Sequence, residues 1–134
     1  MAGVVVLDAS ALIALYDSQD THHPWALQMF IDTIQLELAM PALTYAEVLV
    51  HPIRAGKRSK FEKSISGLGI SFHGLAPEEA LELAELRVKT NLKMPDVVVL
   101  HRALSLNAAI ATTDKNLAEQ ARKLSLEVFS STEL

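Results

Sequence analysis

The segment Val4-Val5-Val6-Leu7 is apolar at every position, mostly β-branched, and stops at Asp8. A strand with one wet face alternates polar and apolar residues, whereas a strand covered on both faces does not. This run therefore belongs in the middle of a parallel sheet with helices on either side. The rest of the chain keeps the same rhythm. Leu36 to Met40, Ile70 to His73, Ala108 to Thr112 and Leu126 to Phe129 read as further short strands.

Helix-compatible segments fall between them. Ala9 to Tyr16 is the first. Pro24 suits the opening turn of a second, running to about Gln35, with Ala26, Leu27, Phe30, Ile31 and Ile34 as its apolar face. Ala42 to Val50 is a third, which Pro52 is expected to end. The basic stretch Arg54 to Lys63 follows. Pro77 opens a helix expected to turn Ala80, Leu83, Ala84 and Val88 to the core, and Pro95 opens one that is almost wholly apolar from Val97 to Leu106. Lys115 to Lys123 is the last. Strands and helices alternating in this way predict an α/β protein, a three-layer α/β/α sandwich around a parallel sheet. No repeat or linker divides the chain, so residues 1–134 read as a single domain.

An open sheet of this kind places its functional site beyond the carboxyl ends of the strands. Four acids are placed to meet there. Asp8 ends the first strand, and Asp114 follows the strand Ala108 to Thr112. Asp96 precedes the apolar helix that leads into that strand, and Glu47 sits in the short helix after the second strand. Each has a local reading as well. Asp8, Asp96 and Asp114 are helix N-cap candidates, and Glu47 taken alone is an ordinary solvent-facing helix residue. Together they offer oxygen-only ligands, which suit the hard cations Mg²⁺ and Mn²⁺. Such a cation lets clustered carboxylates stay ionised and supplies charge neutralisation for phosphodiester hydrolysis.

Composition narrows the chemistry. A net charge of −4 and a pI near 5.7 give no overall attraction for nucleic acid, so RNA binding requires the acids to be concentrated where a cation offsets them. The absence of cysteine removes disulfides, thiolate metal sites and thiol nucleophiles. The apolar N-terminal segment is broken by Asp8 and has no basic run before it, unlike a signal peptide or a spanning helix. A cytoplasmic protein without a membrane partner is expected.

The blocks LDASALIAL around Asp8, TYAEVL around Glu47, MPDVVVLHRAL around Asp96 and TTDKNL around Asp114 resemble, in order and spacing, those of PIN-domain ribonucleases. The nearest likeness is to the VapC toxins of toxin–antitoxin pairs, and it spans essentially the whole chain. The resemblance implies a five-stranded parallel sheet of order 3-2-1-4-5 and Mg²⁺- or Mn²⁺-dependent endoribonuclease activity. It also implies a homodimer and inhibition by a cognate antitoxin protein. By position, Asp8, Glu47, Asp96 and Asp114 would be the catalytic and metal-holding acids, with the hydroxyls of Ser10, Thr112 and Thr113 orienting them. Two places depart from the family pattern. Val98, Val99 and His101 stand where small alanines are usual, and Leu117 stands where an aromatic is frequent.

Arg54, Lys57 and Arg58 are the candidate RNA-binding cations, the alternative being a solvated basic face. His51, one helical turn beyond Glu47, is a candidate for the same cleft. His22, His23, His73 and His101 read as loop or structural residues, and Trp25 as core. A dehalogenase-type phosphatase wants a second Asp two residues after the first, where this chain has Ser10. No Gly-rich phosphate loop occurs. The remaining rival is a PIN-like module that cleaves nothing and acts only by binding a protein partner.

Overall fold

A computed structural model describes residues 2–131; residue 1 and residues 132–134 of the expected domain lie outside them. Five strands, β1 (Val4–Leu7), β2 (Glu37–Pro41), β3 (Ser71–His73), β4 (Ala109–Thr112) and β5 (Val128–Ser130), form one sheet in the order β3-β2-β1-β4-β5. Every pairing is parallel. Seven helices connect and cover the described strands: α1 (Ala9–Tyr16), α2 (His23–Asp32), α3 (Ala42–Arg54), α4 (Arg58–Ser66), α5 (Ala80–Thr90), α6 (Met94–Leu106) and α7 (Lys115–Lys123). The expected sandwich and strand order are both present.

Alternate residues of β1 feed two separate cores. Val5 and Leu7 pack with Leu12, Met29, Val48 and Ile65 from α1 to α4, whereas Val6 packs with Leu86, Val99, Leu100 and Leu117 from α5 to α7. Burial on both faces is why β1 shows no polar alternation. The two family departures are absorbed by this packing: Val98, Val99 and Leu117 are fully buried, and His101 is nearly so. Trp25 packs against the α1–α4 side, as expected.

Two helix faces differ from the sequence expectation. On α5, Ala80, Ala84 and Val88 are exposed, Val88 to 84%, while Leu83, Leu86 and Thr90 turn inward. A short 3-10 turn at Pro77–Glu79 precedes the α-helix, and packing against α6 selects the buried face. On α2, Leu27, Ile31 and Ile34 are exposed, and Ala26 and Met29 carry the burial. The helix stops at Asp32, so Ile34 lies in the turn beyond it. Pro52 does not end α3. It lies inside the helix, buried, with the last turn continuing to Arg54.

Candidate functional site

Asp8 directly follows β1, and Thr112 ends β4, the strand paired beside it with Leu7 opposite Ala111. The Asp8 amide continues that ladder by donating to the Ala111 carbonyl at 3.0 Å. Parallel pairing thus delivers both residues to one edge of the sheet. Asp8 is 8% exposed and occupies the N-cap position of α1, yet its side chain makes no capping hydrogen bond. Its Oδ2 instead accepts from Ser10 Oγ at 2.7 Å and Thr112 Oγ1 at 2.8 Å.

The hydroxyls also tie the second acid down. Thr112 Oγ1 accepts from the Asp114 amide at 2.9 Å, and Ser10 Oγ accepts from the Thr113 amide at 3.0 Å. Ser10 and Thr112 thus each bond the Asp8 carboxylate and a backbone amide of the segment that carries Asp114. Thr113 takes part through its backbone; no described hydrogen bond involves its hydroxyl. Asp114 fulfils its local reading: Oδ1 accepts from the amides of Asn116 at 2.8 Å and Leu117 at 3.1 Å, capping α7.

Asp96 sits in the first turn of α6 rather than at its cap, which is Lys93. Partial burial raises its pKa first, and the charges of Asp8, Asp114 and Glu47 add to this, carrying it from 3.8 to about 6; Lys93 opposes the shift. Glu47, on the exposed side of α3, is raised by desolvation and then by Asp8. Asp8 is raised chiefly by burial, against which the Ser10 and Thr112 hydroxyls and the Ala9 amide act, with Asp114 adding to the rise. Acids distant in the chain thus act on one another: Asp96 feels the charges of Asp8, Asp114 and Glu47, Glu47 that of Asp8, and Asp8 that of Asp114. They are not drawn into a tight cage. Among the described residues, the group whose ligand atoms all lie within 4.8 Å of one another is Glu79, Glu82 and His101, on a different part of the molecule.

Beside Glu47 runs a groove of about 460 Å³ between α1, α3 and α4, floored by Ile13, Tyr16, Val48, Pro52 and Phe61. His51, Lys57 and Lys60 line it. Of the three expected RNA-binding cations, Lys57 is in the groove. Arg54 and Arg58 are not among its lining residues, and Arg58 is held by Glu62 in an exposed pair at 2.8 Å. Lys60 was not singled out by sequence reasoning. Its position one turn into α4 after Lys57, the residue that caps that helix, is the signal that was available. His23 packs its Nδ1 against the Ala14 carbonyl at 2.7 Å, a loop-fixing role.

The sequence model of the PIN domain matches residues 5–123. No curated protein matches the chain. Among solved structures, a toxin–antitoxin complex from Klebsiella pneumoniae is similar at 22% identity and a TM-score of 0.71, over 85% of this chain and 90% of that one. A FitAB complex bound to an IR36 DNA fragment aligns over 97% of this chain and 96% of that one, at 16% identity and a TM-score of 0.72. VapBC2 from Rickettsia felis, bound to a DNA fragment from its promoter, aligns at 12% identity and a TM-score of 0.69, over 96% of this chain and 99% of that one. At such identities these likenesses speak to the fold alone.

Proposed function

Since the chain belongs to the PIN-domain family, we propose that it is a metal-dependent endoribonuclease whose acidic edge hydrolyses RNA phosphodiester bonds. The observation that carries this reading is that burial raises the carboxyl pKa values of Asp8, Glu47 and Asp96 and that neighbouring acids add to it: Asp114 at Asp8, Asp8 at Glu47, and Asp8, Asp114 and Glu47 at Asp96. Crowding ionisable acids without a cation is unfavourable, and a divalent ion reverses the penalty. Oxygen-only donors fit Mg²⁺ or Mn²⁺. An octahedral Mg²⁺ keeps several waters and takes only one or two carboxylates directly, so acids that share an edge without forming a tight cage suit it.

Such an ion would neutralise a non-bridging phosphate oxygen and lower the pKa of a water. The protein's part is placement. Ser10 and Thr112 fix the Asp8 carboxylate, the α7 cap fixes Asp114, and Asp96 and Glu47 approach from the helices on either side. Lys57 and Lys60, with His51 beside them, offer cations along the groove that leaves Glu47. They give an acidic protein somewhere to hold phosphates.

In its cellular role the chain acts as the toxin of a type II toxin–antitoxin pair, of the VapC kind. It is homodimeric, works in the cytoplasm and is restrained by a cognate antitoxin. Support for this comes from the motif set and from the toxin–antitoxin complexes among its structural neighbours. No helix among the described residues is long and apolar enough to cross a membrane. The test is to incubate purified protein with structured RNAs in Mg²⁺ or in EDTA, alongside Asp8→Asn. Cleavage that needs Mg²⁺ and disappears in the variant is expected. Cleavage that survives in Asp8→Asn sinks the site assignment, and none in either form would leave a PIN-like module that acts only by binding.

A further inference from the structure

We infer that His101, Glu82 and Glu79 form a second cation site, between α5 and α6, for a borderline divalent ion such as Zn²⁺. It is independent of the nuclease reading. His101 is only 6% exposed, and a buried imidazole ordinarily has both ring nitrogens satisfied. Here Nε2 lies 2.9 Å from Glu82 Oε1, but Nδ1 has no hydrogen-bond partner. The nearest carboxylate oxygen to Nδ1, Glu79 Oε2, is 3.7 Å away, beyond hydrogen-bond reach. A ring edge held between two carboxylates and bonded to only one of them calls for a cation.

Glu79, Glu82 and His101 each bring one ligand atom, all within 4.8 Å of one another. The 3.7 Å between Nδ1 and Glu79 Oε2 is close to the spacing of adjacent ligands on one tetrahedral ion, roughly 3.4 Å for bonds near 2.1 Å, while the Nε2 bond to Glu82 fixes the tautomer that leaves Nδ1 free to bind. Glu79 is already held in place. Arg102 Nη2 donates to both its oxygens, at 3.1 and 3.0 Å, and the Ala76 amide donates to its Oε1 at 2.8 Å. Glu82 is the open side, 65% exposed and facing a groove of about 390 Å³ that leads in from solvent. One imidazole with two carboxylates favours Zn²⁺ over Mg²⁺, the reverse of the oxygen-only edge. Arg102 offsets part of the charge on Glu79, so the site binds more weakly than one with two free carboxylates.

The full chain carrying Asp8→Asn and Asp96→Asn, which disables the acidic edge, is titrated with ZnCl₂ and with MgCl₂ by calorimetry. In parallel, the His101 ring nitrogens are followed by ¹⁵N NMR. One equivalent of Zn²⁺ is expected to bind, with Tm rising by linkage and no response to Mg²⁺. Glu82→Gln, at an exposed position that the fold does not depend on, should weaken binding about tenfold or more. The His101 nitrogens should take the signature of a neutral, metal-bound ring. No saturable binding, or binding indifferent to both Glu82→Gln and His101→Asn, overturns the site. So does a ring that stays doubly protonated in excess Zn²⁺. Loss or retention of RNA cleavage has no bearing on it, so the two readings fail separately.

Discussion

Thr112 is where the two central strands and two acids meet through one oxygen. It donates to Asp8 and accepts the Asp114 amide while fully buried. Thr112→Val keeps the shape, leaves the Asp114 amide unpaired and leaves Asp8 Oδ2 to Ser10 alone. The expected cost is about 1–3 kcal/mol of stability by chemical denaturation. RNA cleavage should fall by about 10- to 100-fold as the carboxylates lose their aim. Thr112→Ser should restore most of both, and a fully active valine variant would show that the hydroxyl only fills space. Asp114 separates its two roles in a similar way. Asparagine is as good an N-cap as aspartate, so Asp114→Asn should hold stability while losing cleavage. Asp114→Ala should lose cleavage and about 1 kcal/mol as well. From sequence, capping and chemistry were alternatives at this residue, because local spacing cannot say whether a carboxylate serves one partner or two. At Asp8 the alternatives do separate. The capping position is real, but the side chain turns to Ser10 and Thr112 instead.

At the scale of elements, the strands were legible because burial on both faces writes an uninterrupted apolar run. The helix faces were less so. In α5 the apolar residues are scattered around the helix, so periodicity alone could not choose between the stripe through Val88 and the one through Leu86; packing against α6 chose the latter. Pro52 misled because it forgoes only its own amide bond, while the bonds beyond it, Ala55 amide to the His51 carbonyl and Lys57 amide to the Pro52 carbonyl, still form, so α3 runs on to Arg54. Gly56, at φ +68°, then reverses the chain into α4, and Lys57 and Lys60 line the groove beside Glu47. The sequence shows a basic stretch but not which of its members face the site. That distinction makes a prediction. Lys57→Ala with Lys60→Ala should weaken binding of a single-stranded RNA and lower its salt slope by roughly 0.7 for each phosphate no longer neutralised. Arg54→Ala with Arg58→Ala should change the slope little. Binding to the protein loaded with Ca²⁺ in place of Mg²⁺, measured by fluorescence anisotropy across a salt series, decides it. The reverse ranking would move the RNA path off this groove.

At the scale of the whole molecule, the acidic edge couples stability to pH and to cations. Asp96 titrates near 6 in the folded protein against 3.8 for an unperturbed aspartate, and Asp8 and Glu47 are shifted in the same direction. An acid whose folded pKa is raised binds its proton more tightly when folded. Its ionisation therefore costs stability, progressively, as pH rises from the unfolded value through the folded one. For Asp96 that window runs from about 4 to about 6, and above it the full penalty is present. Metal-free protein should accordingly gain thermal stability as pH is lowered from about 7.5 to about 5, until protonation of stabilising carboxylates such as Glu79, whose pKa is lowered, turns the trend. Saturating Mg²⁺ should raise Tm most at the upper end of that range and flatten the profile, because the cation favours the ionised acids that the proton opposes. Asp96→Asn should mimic the proton, raising metal-free stability at neutral pH by on the order of 1 kcal/mol while abolishing cleavage. Glu78→Gln, an exposed acid away from the edge, controls for the change in net charge and should do neither. Calorimetric scans of the three proteins, with EDTA and with Mg²⁺, give the comparison. A metal-free Tm that falls steadily on acidification, or an Asp96→Asn protein no more stable than its parent, would mean that the edge bears no electrostatic strain for a cation to relieve.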